Sequence, residues 1–237
     1  TCTSDQDKKN IVKTLGQDIK IFVAGNIPDR KKLDNIEKSK DPKTLRIATL
    51  SRICHIKNIK YSIELIDEIS RTQTNYNKLD FHIFGHIQDN NYYDECKALA
   101  DEINKRDSRN EIKFKGSIGY DDVVSTLSHY HIFLFPSKSE NYGHVIHEAL
   151  LAGCPVVVSD KTPWRDLEKK GIGFDIPLNN TKLFVDKIVY FLDLNDTEYK
   201  TKSEKALIYG KEITNDEKTI IQNVELINFA LELKWKY

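Results

Sequence analysis

The sequence predicts an α/β fold, a Rossmann-like parallel sheet flanked by helices, ending in a helical carboxyl-terminal tail. Short runs rich in β-branched and aromatic residues alternate with longer amphipathic stretches, the order produced when parallel strands are joined by covering helices. The apolar runs are short and read as buried. From about Asn179 onward the strand signal disappears and only helical spacing remains.

In chain order, the strands are read at "LRIATL" (residues 45–50), "LDFHIFG" (79–85), "EIKFKG" (111–116), "HIFLFP" (131–136), "PVVVSD" (155–160) and "GFDIP" (173–177). The helical spacings between them are Ile59, Ile63, Ile66 and Ile69, then Tyr92, Cys96, Leu99 and Ile103, then Val123, Val124 and Leu127. Two helical stretches are expected in the tail, one carrying Leu183, Ile188 and Leu192, the other Ile220, Val224, Ile227 and Leu231. Ahead of the first strand, Ser4 with Asp7 reads as a helix N-cap pair and "DIKIFVAG" (18–25) as one strand, too little for a domain alone. Residues 26–42 are polar, hold Pro28 and Pro42 and a Lys/Asp-rich run, and read as a linker or long surface loop. The expected organisation is therefore residues 1–42 as the tail of a missing amino-terminal domain plus linker, and residues 43–237 as the main domain. The chain opens at Thr1 and contains no methionine, which fits a fragment of a longer product.

Bulk composition narrows the function. At 237 residues and 39% hydrophobic content there is enough apolar material for a real core. Lys plus Arg equals Asp plus Glu at 36 each, so the general attraction on which nucleic-acid binders rely is missing. No apolar run approaches the roughly 20 residues needed to cross a bilayer, and the first residues are polar. Cys2, Cys54, Cys96 and Cys154 form no Cys-x-x-Cys pair and suggest neither a zinc site nor a disulfide scaffold. The expected location is cytoplasmic, or peripheral at the inner face of the membrane in a full-length protein.

The chemistry concentrates in "FLFPSKSENYGHVIHEALLAGCPVVVSD" (133–160), which reads strand, loop, helix, tight turn, strand. In a doubly wound sheet the loop after a strand aims the next helix amino-terminus at the ligand. Gly143 opens that helix. The N–H groups of Tyr142, Gly143, His144 and Val145, having no partner inside the first turn, are then free for phosphate oxygens. Glu148 lies inside the helix among Val145, Ile146, Ala149 and Leu150. One reading gives its two oxygens to the vicinal hydroxyls of a ribose; the other leaves it solvated on the outer face beside His147. After the first strand, Arg52 and Lys57 can converge on a diphosphate, Arg through its planar fork and Lys as a point charge.

This segment resembles the signature of glycosyltransferase family 4, the group 1 transferases, in which two Glu residues separated by seven others straddle a strand–loop–helix join. The match covers Glu140 to Glu148 and continues through "EALLAGCPVVVSD" and "TPWRDL", about thirty residues. The resemblance implies the carboxyl-terminal, nucleotide-sugar-binding half of a GT-B fold. It further implies that Glu140 approaches the donor sugar hydroxyls, that Glu148 holds the ribose, and that the amides around Gly143 face sugar and phosphate. Family members show a similar Arg-x-x-x-x-Lys where Arg52 and Lys57 stand, usually followed by Gly, here Asn58. They often carry Gly-Phe-Gly after the first Glu, where this chain has Asn141, Tyr142 and Gly143. The loop "GSIGYDD" resembles the nucleobase pocket, with backbone near Ile118 contacting the base, although Asp121 equally suits an ordinary helix start. Gly85 stands where members often carry Gly-x-Gly, and a tight turn accounts for it.

The resemblance implies retaining, hexosyltransferase-like transfer of a sugar from a nucleotide diphosphate sugar, such as a UDP- or GDP-sugar, to a saccharide or lipid-linked acceptor. Polysaccharide or lipopolysaccharide synthesis is the expected setting. No cofactor is expected. His82, His86, His129 and His131 lack carboxylates at ligand spacing, so no metal site is expected either. Trp164 reads as a packing residue. The acceptor and a histidine near the sugar belong to the amino-terminal half, so the fragment alone is expected to bind a nucleotide diphosphate weakly without turnover. Two other classes remain open: a GT-B-shaped sugar-nucleotide epimerase, and a non-catalytic nucleotide-binding α/β module. A receiver-type module would need an acidic cluster at the strand ends, which offer Ser51, Gly85, Gly116 and Pro136 instead.

Overall fold

The structure, a computed structural model, describes residues 5–16, 21–24 and 38–234. Its sheet holds β1 (Thr44–Leu50), β2 (Lys78–Phe84), β3 (Asn110–Gly116), β4 (Ile132–Phe135), β5 (Val156–Ser159) and β6 (Gly173–Ile176). All pairings are parallel and the order is β3-β2-β1-β4-β5-β6. All six strands expected from residue 45 onward are present. β4 and β5 are buried at all four positions, which is why they read as unbroken apolar runs rather than alternating ones.

The connecting helices are α2 (Ile59–Thr72), α3 (Asn90–Arg106), α4 (Val123–Leu127), α5 (His144–Leu151), α6 (Leu167–Lys170) and α7 (Thr181–Asp193), with α1 (Asp5–Leu15) preceding β1. Ile59, Ile63, Ile66 and Ile69 of α2 pack with Leu45, Ile47, Phe81 and Ile83 of the sheet and with Ile188 and Phe191 of α7 in one apolar cluster. Burying side chains of this size contributes about 1.5–3 kcal/mol each before the entropy of ordering them is counted.

After α7 the chain forms α8 (Asp196–Thr214) and α9 (Glu217–Lys234), so three helices follow β6 where two were expected. α8 escaped notice because its buried positions are Tyr199, Ser203, Ala206 and Gly210, small or polar residues rather than a stripe of large aliphatics. A Cβ on Gly210 would stand 2.9 Å from the backbone N of Leu151, so α8 approaches the end of α5 more closely than any side chain permits. The expected apolar stripe of α9 exists as spacing but not as core, for Val224, Ile227 and Leu231 are each more than half exposed.

The chain divides into two compact units, Lys31–Gly210 and a second drawn from Thr1–Arg30 with Lys211–Tyr237. In the second, the rings of Phe22 and Phe229 lie 4.5 Å apart. Ser4 and most of the expected linker lie outside the described residues, and of the strand read at residues 18–25 only residues 21–24 are described, with a single β-bridge at Val23. Near Pro42, the expected boundary, the chain is already part of the larger unit. Lys38 donates to Tyr130 O at 2.5 Å and to Cys154 Sγ at 3.3 Å, and Lys40 donates to Leu192 O and Leu194 O at 2.9 and 2.8 Å. A charge run that reads as linker thus supplies buried ammonium groups to carbonyls left open at helix ends.

Gly85 is required by a close approach rather than by a tight turn. A Cβ there would stand 1.7 Å from Ser51 O, at the carboxyl ends of β1 and β2. Among the described residues no helix is long and apolar enough to cross a membrane.

Candidate functional site

In the order β3-β2-β1-β4-β5-β6, connections run outward in opposite directions from β1 and β4, and the carboxyl ends at such a switch point are where a doubly wound sheet places its ligand crevice. Residues 51–58 follow β1, and residues 136–143 follow β4. The two loops are sewn together by Lys138 N donating to Ile56 O at 2.8 Å, Ser137 Oγ to Ile56 O at 3.2 Å, and Asn58 Nδ2 to Pro136 O at 3.0 Å. Asn58 has φ 59° and ψ 36°, a left-handed conformation that Gly or Asn tolerates best, which explains how it replaces the family's glycine.

Across this seam Lys57 Nζ donates to Glu140 Oε2 at 2.6 Å, with side chains only 12% and 17% exposed. The ammonium also lies 5.4 Å from the Phe135 ring centroid. Two residues expected on separate grounds, one for phosphate and one for sugar, are therefore direct partners. Arg52, five positions before Lys57, is exposed at the mouth of the same loop.

α5 starts immediately after the second loop. Gly143 is its N-cap at φ 77°, ψ 59°, and a Cβ there would stand 2.9 Å from Ile146 Cδ1 and 3.2 Å from Glu140 Cγ. Gly143→Ala is expected to lower stability by about 1–3 kcal/mol, combining left-handed strain with these contacts. A urea titration reads this directly; a loss below about 0.5 kcal/mol would show that the turn has other ways to close. His144 is exposed, and Tyr142 and Val145 are half-buried. Glu148 is half-buried on α5, while His147 beside it is buried and its Nε2 meets Gly210 O at 2.9 Å. The two neighbours thus face different surroundings, and burial lowers the His147 pKa from its ordinary value, keeping the ring neutral.

The end of β5 and residues 160–166 after it support the β4 loop. Glu140 N donates to Lys161 O at 3.2 Å, Ser159 Oγ to Ser137 O at 2.5 Å, and Trp164 Nε1 to Tyr142 O at 2.7 Å. Sequence reasoning missed Trp164 as part of the site, although a buried indole N–H, always in want of an acceptor, was the available signal. Ile118 is half-buried in the loop after β3, the edge strand two places from β1, and the backbone there passes into a 3-10 turn at Tyr120–Asp122 rather than directly into a helix. His82, His129 and His131 have partners within the fold, with His129 Nδ1 2.9 Å from Ser125 O. His82 meets Tyr130 Oη and Glu111 Oε1 at 2.8 and 3.1 Å, and His131 meets Arg46 N and Ser39 O at 2.9 and 3.1 Å.

Against known proteins, a family model described as glycosyl transferases group 1 matches residues 34–209. Curated protein sequences give no match. Among solved structures, a mutant of S. aureus TarM in complex with fondaparinux, alpha-GlcNAc-glycerol and UDP is similar at TM-score 0.72 and 21% identity, over 96% of this chain and 43% of that one. WaaG, a glycosyltransferase involved in lipopolysaccharide biosynthesis, is similar at TM-score 0.68 and 18% identity, over 91% and 58%. The sucrose-phosphate synthase of Thermosynechococcus elongatus is similar at TM-score 0.68 and 17% identity, over 98% and 58%. The fold is that of one half of a GT-B protein, and the chain spans about half the length of these structures.

Proposed function

Because the chain belongs to the glycosyl transferases group 1 family, we propose that it is the donor-binding half of a retaining, metal-independent glycosyltransferase. The observation that carries this reading is the meeting of Lys57 and Glu140 where the β1 and β4 loops border the crevice. Cleaving a glycosyl–phosphate bond leaves negative charge on the nucleoside diphosphate and develops positive charge on the sugar ring. Lys57, Arg52 and the N–H groups at the start of α5 offer fixed positive charge and dipole to the first; Glu140 lies beside them for the sugar hydroxyls. Glu148 takes the ribose and the backbone near Ile118 takes the base.

The sugar passes to a saccharide or lipid-linked acceptor held by an amino-terminal domain, in polysaccharide or lipopolysaccharide synthesis. The buried thiols Cys54, Cys96 and Cys154, all unpaired, suit a reducing cytoplasmic compartment. UDP is the first nucleotide to test, since it is bound in the TarM structure and in that of the pneumococcal O-GlcNAc transferase GtfA.

Calorimetric titration with UDP, GDP and ADP in the presence of a chelator tests the reading. One of them is expected to bind, and Arg52→Ala or Glu148→Ala to weaken it about tenfold, the worth of one charge-assisted hydrogen bond. Equal affinity in all three proteins would remove both residues from the site. Glycosyl transfer by this polypeptide alone would contradict the assignment of acceptor binding to another domain.

A further inference from the structure

The β4 loop presents its amides only if its peptide planes are held, and a glycine at the critical turn does little to hold them. Gly143 has access to both halves of backbone conformational space, so its own sterics do not choose the direction of its N–H. That direction is set by the preceding carbonyl, since Tyr142 C=O and Gly143 N–H belong to one planar peptide and point to opposite sides of the chain. Trp164 Nε1 donates to this carbonyl at 2.7 Å. With the oxygen fixed on the Trp164 side, the Gly143 N–H is turned away from it.

Trp164 is itself immobilised. The residue is 8% exposed, and its ring is nearly parallel to the His147 ring, at 18° and 6.5 Å between centroids. The Tyr142 ring meets it edge-on at 6.1 Å. His147 Nε2 lies 2.9 Å from Gly210 O, which makes that nitrogen the donor and ties the stack to α8. A short relay thus runs from the α8 backbone through two stacked rings to one peptide plane of the candidate donor loop.

We propose that Trp164 is a positioning residue for diphosphate binding: its indole N–H orients the Tyr142–Gly143 peptide so that the loop amide meets a phosphate oxygen. The proposal rests on the donor-site reading above. It assigns Trp164 no contact with substrate. Its effect is confined to the part of the ligand that the amide touches, so the phosphates should feel its loss and the nucleoside should not.

The test compares UDP with uridine, by calorimetry and by ligand-observed NMR respectively, on the 237-residue chain. Two variants are used: Trp164→Phe, and benzothienylalanine at position 164, which keeps the bicyclic shape and removes only the N–H. The expected result is UDP affinity lowered about three- to tenfold in both, the range one neutral hydrogen bond commands, with uridine affinity unchanged. Wild-type UDP affinity in the benzothienylalanine protein would overturn the proposal, as would parallel loss of UDP and uridine, which is what general loosening of the fold produces. Failure of the wild-type chain to bind UDP, GDP or ADP would overturn the donor-site reading itself, an outcome distinct from either.

Discussion

Lys57→Ala is expected to lower affinity for UDP by about ten- to a hundredfold, the loss of one charge-assisted contact to phosphate in a partly desolvated crevice. Glu140→Gln is expected to act in the opposite direction, leaving UDP affinity unchanged or raising it, because the ammonium at 2.6 Å from the carboxylate no longer divides its charge between protein and ligand. The opposite signs make this informative. If the pair served only to staple the β1 loop to the β4 loop, both substitutions would loosen the same seam and weaken binding together. Stability gives a second comparison. Each single change leaves a partner that is less than one-fifth exposed without its counter-charge, at a cost of about 1–3 kcal/mol. The double variant Lys57→Ala, Glu140→Gln removes that orphan, so it should be more stable than the sum of the single losses implies. Additive losses in a denaturant-based double-mutant cycle would show that the ion pair contributes nothing beyond its parts.

Acid should destabilise the chain through His131. Burial, with the charge of Arg46 as the next cause, pushes its pKa down from 6.5 to about 3. The geometry explains the direction. His131 Nδ1 accepts from Arg46 N at 2.9 Å and Nε2 faces Ser39 O at 3.1 Å, so the neutral ring with hydrogen on Nε2 satisfies both contacts, whereas a second proton on Nδ1 would confront the amide hydrogen of Arg46. The unfolded chain takes up the proton at pH 6.5 and the folded chain only near pH 3, so this contribution is complete above pH 6.5 and is lost as pH falls toward 3. The slope can reach about 1.4 kcal/mol per pH unit inside that window, and about 5 kcal/mol in total. Burial lowers the His147 pKa as well, which adds to the trend in the same sense. His131→Asn can still accept from Arg46 N but does not titrate. Its unfolding free energy, measured by urea titration from pH 7 to pH 4, should fall with a slope shallower by up to one proton; the same slope as wild type would place the acid sensitivity elsewhere.

The strands were legible because a sheet covered on both faces demands contiguous apolar side chains, and β4 and β5 are buried at every position. The loop–helix join was legible for a related reason: a helix amino-terminus following a strand has unpaired N–H groups whatever its sequence, and Gly143 marks where the chain must turn left-handed. What stayed hidden depends on partners far away in sequence. Lys57 and Glu140 are 83 residues apart, and nothing local in either says that they meet. Lys38 and Lys40 looked like solvated linker, yet their stems are long enough to bring ammonium groups to buried carbonyls. α8 hides for the opposite reason, since close helix contact selects small residues such as Gly210 and Ala206, which carry no hydrophobic signal. Trp164 reads as packing from sequence because its function in the loop lies in one N–H, not in its ring.

The central claim, that one diphosphate is gripped jointly by the loop after β1 and the first turn of α5, is tested most directly by mapping backbone amide shifts on titration of the ¹⁵N-labelled chain with UDP in chelator. The account predicts saturable changes at residues 52–58 and 142–145, two stretches far apart in sequence, moving with a single dissociation constant. Changes confined to one stretch, or gathered at the opposite, amino-terminal ends of the strands, would contradict it.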